Sequence, residues 1–140
     1  LIDNPDKLEV LTSETGENID RIKKVIEECW PGELTIIFKA NEEFTEKFDS
    51  ELKTVGIRIP KNRTAIDIIK NTGANISGEK AVTDIKDMSE VLLSEVDGII
   101  TDNSILTGVP STIIKYVEGE IEILREGNIN IEKIKQLMKG

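Results

Sequence analysis

Five apolar residues, Ile19, Ile22, Val25, Ile26 and Cys29, recur at three-and-four spacing, and the run halts at Pro31-Gly32 before a compact β-type stretch, Leu34 to Lys39. That spacing lays one apolar stripe along a helix, which Pro and Gly terminate; Thr, Ile, Ile and Phe in the following run favour an extended strand. Helix, stop, strand is the opening move of an α/β domain. The rest of the chain repeats the alternation. Val55 to Ile59 reads as a strand closed by Pro60, and Asn62 caps a helix carrying Ala65, Ile66, Ile68 and Ile69 that ends near Asn71. A further helix is expected from Asp84 to Ser94, with Ile85, Met88, Val91 and Leu92, and a buried strand from Gly98-Ile99-Ile100. Thr112 to Val117 and Ile121 to Leu124 form a hairpin about Glu118-Gly119, and Asn130 caps a last helix with Ile131, Ile134 and Leu137. Leu8 to Leu11 reads as a short strand, and the polar Asn41 to Ser50 as a surface excursion. A hairpin among α/β units requires a mixed sheet rather than a purely parallel one.

At 140 residues the chain suits one domain, since a chain of this size buries roughly two-thirds of its unfolded surface on folding. The net charge of −9 repels polyanions at long range, so RNA contact requires a local basic patch. One cysteine, Cys29, cannot close an intramolecular disulfide, and the absence of histidine removes the commonest zinc ligand and general base. A chemistry of binding and positioning in a reducing cytoplasm fits best. No stretch approaches the ~18 apolar residues of a membrane span. The chain opens on Leu1 rather than methionine, which reads as a fragment.

Several loops could carry chemistry. Thr72-Gly73-Ala74-Asn75-Ile76-Ser77-Gly78 crowds small and hydroxylic residues, so that amides and hydroxyls can approach an anion; it reads equally well as a tight turn in which the glycines supply positive φ. Gly108-Val109-Pro110-Ser111-Thr112 presents two hydroxyls at a strand start, either for a ligand or simply to begin the strand. Arg58 alternates with Ile57 and Ile59; if those two face the core, Arg58 points the other way, toward an anion or toward solvent. Arg125 ends a strand beside Gly127 and could reach a phosphate, or pair with Glu126. Trp30 reads as a core cap.

In order and in approximate spacing, WPGELT, VGIRIP, TGANISG, GVPSTII and ILREG resemble the PGxxT, GxRxP, TSANxSG, GxPST and hydrophobic-R-x-G succession of the YrdC-like family, from about Leu8 to Ile134. The resemblance implies a twisted, mixed parallel/antiparallel open sheet flanked by helices. It also implies threonylcarbamoyl-AMP synthase activity: L-threonine, bicarbonate and ATP condense to threonylcarbamoyladenylate and pyrophosphate, with magnesium on the ATP, and partner proteins transfer the group to tRNA. On that pattern Arg58 holds an anionic part of threonine or its carbamate. Ser111 and Thr112 contact the threonine and phosphate region, Thr72, Asn75 and Ser77 line the nucleotide pocket, and Arg125 steadies its phosphate. No catalytic acid or base is assigned and no residue binds metal.

Three departures qualify the likeness. The family's N-terminal TDTVYGL-like stretch and KxR motif are missing. Gly73 stands where the family has serine, and the strand usually placed between Asn71 and Thr72 is absent, through omitted residues or a deletion. Two other functions fit the same residues: a non-catalytic nucleotide- or RNA-binding relative, which steeply salt-dependent RNA affinity without ATP binding would reveal, and the carbamoyl-adenylating domain of a hydrogenase-maturation carbamoyltransferase, whose zinc-finger cysteines this chain lacks.

Overall fold

The computed structural model describes residues 1–47, 53–69, 94, 97–98 and 108–139. The chain divides into two compact units, Leu1–Gly73 with Ser111–Gly140, and Ala74–Pro110. The described strands all lie in the first. Of the second, Ser94 is helical, whereas the TGAN loop, the expected strand at Ile99-Ile100 and the rest of the 84–94 helix lie outside the described residues, as does the Asn71–Thr72 junction.

Among the described residues, four strands form one sheet in the order β2-β1-β3-β4: β1 is Leu34–Lys39, β2 Thr54–Ile57, β3 Thr112–Val117 and β4 Glu120–Arg125. β1 runs parallel to β3, and the outer two pairings are antiparallel, so the sheet is mixed. Among the described residues, the helices with described bounds are α1 (Leu8–Leu11), α2 (Glu17–Cys29), α3 (Glu42–Lys47), α4 (Arg63–Ile69) and α5 (Ile131–Lys139).

Strict alternation sets the two faces of the sheet. Leu34, Ile36 and Phe38 of β1 and Thr112, Ile114 and Tyr116 of β3 are fully buried, and they form the core with Ile22, Val25, Ile26 and Cys29 of α2 and Ile134 of α5. Phe38 and Tyr116 meet edge to face with centroids 6.1 Å apart. Trp30 closes this layer as a core cap, its indole N–H donating to the carbonyl of Leu34 at 2.7 Å. The other face carries Thr35, Ile37 and Lys39 of β1 and Ile113 and Lys115 of β3.

One expected element differs and another proves more regular than expected. Leu8 to Leu11 is helical, because Asn4 and Pro5 start a 3-10 turn at Pro5–Lys7 that the helix continues. A strand would put Leu8 and Val10 on one side; instead Leu8 is buried and Val10 exposed, with Leu11 packed on the core, an i, i+3 relationship. Within Asn41 to Ser50, Glu42–Lys47 forms a short helix at whose start the amide of Glu43 donates to Asn41 Oδ1 at 2.9 Å. The remaining caps follow the sequence: Asn62 Oδ1 accepts from the amide of Ala65 at 2.9 Å and Asn130 Oδ1 from that of Glu132 at 2.7 Å. The hairpin turn places Glu118 and Gly119 at φ 54° and 85°, as a two-residue primed turn demands.

Candidate functional site

Arg58, Ser111, Thr112 and Arg125 fall at one end of the sheet, where β1 and β3 begin and β2 and β4 finish. Leu34 pairs with Thr112, Ile36 with Ile57 and Ile113 with Arg125, so the strand directions alone bring these residues to the same margin.

Arg58 follows directly on β2, which ends one residue earlier, at Ile57. Ile57 and Ile59 are buried, at 2% and 3% exposure, and Arg58 between them is half-buried on the opposite side. It therefore shares the outer face with Gly56, beside which a β-carbon would lie 3.7 Å from both Thr35 and Ile37. Arg58 Nε donates to the carbonyl of Gly32 at 2.8 Å. With Nε held there, only the Nη edge of the fork is left for another partner. Burial lowers the basicity of the guanidinium, and the nearby Glu33 carboxylate opposes that shift; an arginine stays charged regardless.

Gly32 is bound twice to this segment, since its own N–H donates to the carbonyl of Ile59 at 2.8 Å. A β-carbon on Gly32 would lie 2.3 Å from the carbonyl oxygen of Cys29, so the position admits only glycine. The preceding Trp30–Pro31 peptide is cis.

Ser111 lies one residue before β3, and its hydroxyl is 3.1 Å from that of Thr35 on the neighbouring strand. Arg125 Nε donates to the carbonyl of Ser111 at 3.0 Å, and an Nη reaches the Ser111 hydroxyl at 3.4 Å. A β-bulge makes this contact possible. Ile114 pairs with Ile123, but Ile113 pairs with Arg125 rather than Leu124. The extra residue turns Arg125, which strict alternation would align with core-facing Ile121 and Ile123, toward the outer face.

Thr112 is fully buried, and its hydroxyl donates to the carbonyl of Ile129 at 2.7 Å while accepting from the amides of Gly127 at 2.9 Å and Ile129 at 3.1 Å. One donor and two lone pairs are all a hydroxyl offers, so its capacity is full. Asn128 in the same loop donates from its side chain to the Glu33 carboxylate, and the amide of Thr112 donates to the carbonyl of Glu33 at 2.9 Å. Thr72, Asn75 and Ser77 lie outside the described residues. Sequence reasoning counted Gly32, Glu33 and Thr35 in the WPGELT motif that carries the family likeness but gave them no site role, although a polar residue at an outward position of an apolar strand marks Thr35. Among the described residues no group of three or more His, Cys, Asp or Glu side chains could hold a metal ion, and no helix is long and apolar enough to cross a membrane.

Among the described residues, a mixed sheet with helices on its core face, and Arg58, Arg125 and the hydroxyls of Ser111 and Thr35 toward its outer face at one margin, define an α/β domain that presents polar groups at a sheet end. The Sua5/YciO/YrdC family model, described as telomere recombination, matches residues 1–127, and the chain belongs to that family. It is 29% identical over 140 residues to a threonylcarbamoyl-AMP synthase of Pyrococcus abyssi, covering 95% of this chain and 40% of the relative. It is 34% identical over 119 residues to a putative threonylcarbamoyl-AMP synthase of Methanocaldococcus jannaschii, covering 82% of this chain and 56% of the relative. The chain thus spans about half the length, or less, of these relatives. Among solved structures, P. abyssi Sua5 complexed with L-threonine superposes with a TM-score of 0.78 at 27% identity, over 97% of this chain and 41% of that one. Escherichia coli YciO shares the fold, with a TM-score of 0.72 at 20% identity over 96% of this chain and 67% of that one.

Proposed function

We propose that the chain is part of a threonylcarbamoyl-AMP synthase, which condenses L-threonine, bicarbonate and ATP into threonylcarbamoyladenylate and pyrophosphate. The product would supply threonylcarbamoyl-transfer proteins that act on tRNA. The observation that carries this reading is the gathering of Arg58, Ser111 and Arg125 at one margin of the sheet, in a chain whose relatives bear the synthase name. The P. abyssi structure with L-threonine supports threonine as the amino-acid substrate.

In this reading the Nη edge of Arg58 meets a carboxylate or carbamate, and the bond from Nε to Gly32 fixes the plane of the fork before the ligand arrives. The Ser111 hydroxyl, already shared with Thr35, orients the same ligand. Arg125 turns a guanidinium edge toward the nucleotide phosphate and stabilises charge as pyrophosphate departs. A nucleotide-binding role for Thr72, Asn75 and Ser77 belongs to the same proposal and rests on the family likeness of the TGANISG motif alone. Magnesium belongs to the proposal as the counter-ion that ATP brings, neutralising its phosphates.

The test uses protein expressed from the complete open reading frame. With threonine, bicarbonate, ATP and magnesium it releases pyrophosphate in a threonine-dependent manner. Release that does not depend on threonine, or none at all, rejects the synthase.

A further inference from the structure

We infer that Thr112 is a positioning residue for Arg125: its buried hydroxyl fastens the Gly127–Ile129 loop so that the guanidinium two residues upstream stays against Ser111. The inference rests on the synthase reading for its functional meaning, and on geometry for its physical content.

Arg125 is the last residue of β4, paired with Ile113 just after a bulge, and the ladder ends there. Its side chain is exposed, and its bonds to Ser111, at 3.0 Å and 3.4 Å, face water. Such bonds alone hold a long, rotamer-rich side chain weakly. The backbone just beyond Arg125 is held firmly. The Thr112 hydroxyl ties the amides of Gly127 and Ile129 and the carbonyl of Ile129, all within 3.1 Å. Thr112 is itself anchored, paired with Leu34 and bonded through its amide to Glu33, and fully buried. The residue beside it, Ser111, supplies both acceptors for Arg125. One dipeptide, Ser111-Thr112, therefore sets both ends of the relationship: Ser111 receives the guanidinium and Thr112 fixes the backbone that carries it.

The experiment compares Thr112→Val, Thr112→Ser and Arg125→Ala in protein from the complete open reading frame. The first readout is the ¹⁵N–¹H resonance of Arg125 Nε in ligand-free protein. Thr112→Val shifts and broadens it toward a solvent-exposed guanidinium while leaving the Arg58 Nε resonance in place, and Thr112→Ser restores it. The second readout is ATP affinity. Thr112→Val and Arg125→Ala each weaken it by about tenfold, and the double variant is no weaker than Arg125→Ala alone. An unmoved Arg125 resonance in a folded Thr112→Val protein overturns the inference, and so do fully additive losses. Where Thr112→Val does not fold, Thr112→Cys, with a poorer donor and acceptor of similar size, takes its place under the same criteria. A wild-type protein that binds no ATP counts against the synthase alone, because the resonance decides the positional inference without any ligand.

Discussion

Arg58 and Gly32 hold each other across the junction of two strands: Arg58 Nε donates to the Gly32 carbonyl at 2.8 Å, while the Gly32 amide binds the carbonyl of the next residue, Ile59, at 2.8 Å. A charged fork half-buried at a sheet margin is thus oriented by backbone, which cannot rotate away as a side-chain partner can.

Gly32→Ala places a methyl carbon 2.3 Å from the Cys29 carbonyl oxygen, against backbone at the end of α2. The turn has to move, and we expect a loss of about 2 kcal/mol or more in denaturant unfolding. On the proposed function, threonine affinity of protein from the complete open reading frame falls with it in whatever fraction remains folded. Unchanged stability would remove Gly32 as the fixed point of this margin.

Thr35→Val keeps the shape of a half-buried side chain and deletes its hydroxyl, leaving Ser111 without its partner at 3.1 Å. Stability changes little. On the proposed function, threonine binding by protein from the complete open reading frame, followed by calorimetry, weakens by roughly fivefold, the value of about 1 kcal/mol for one hydrogen bond. An affinity equal to wild type would mean that Ser111 needs no orientation.

Glu118 adopts φ 54°, which strains a residue with a β-carbon. Glu118→Asn suits the same primed turn and should raise the unfolding free energy by about 0.5–1 kcal/mol. Glu14→Ala works against the same turn: the buried Glu14 carboxylate accepts from the Glu118 amide at 3.0 Å and from Asn18 Nδ2 at 3.1 Å. Its loss is expected to cost about 2 kcal/mol.

Burial pushes the Tyr116 phenol above its ordinary value of 10.0, with Glu14 adding to the effect, and raises the Cys29 thiol above 9.0 by burial first. In both cases the unfolded chain ionises before the folded one. The stability these groups contribute is complete below those ordinary values and is lost as pH rises through the folded ones, so chemical unfolding followed from pH 8 to 11 shows a decline. Tyr116→Phe flattens that decline while lowering neutral-pH stability by about 1 kcal/mol, because the phenol donates to the Asn18 carbonyl at 2.5 Å. A decline of equal slope in the variant would trace it to other groups.

Much of this architecture was legible in the sequence, for identifiable reasons. The stripe from Ile19 to Cys29 and the alternation in Leu34 to Lys39 and Thr112 to Val117 encode burial directly, and Asn62 and Asn130 announce their helices through side-chain caps. Leu8 to Leu11 misled, because four apolar-rich residues fit either period and the deciding signal, Asn4-Pro5, lay upstream. At the site, the placement of Arg58 opposite Ile57 and Ile59 followed from alternation. The reach of Arg125 to Ser111 did not, since it depends on a bulge at Leu124 that leaves no mark in composition. Nor could the saturated hydroxyl of Thr112 be foreseen, because its three partners lie 15 and 17 positions away.

The parallel pairing of β1 with β3 joins Thr35 to a residue 76 positions further on. A ribosome making this chain therefore releases β1 with one side satisfied by the nearby β2 and its other side open until the C-terminal hairpin has been synthesised. The middle of the sheet is the last part to close. Truncation shortly before Ser111 would leave an apolar strand with a bare flank, a template for self-association rather than a smaller working domain.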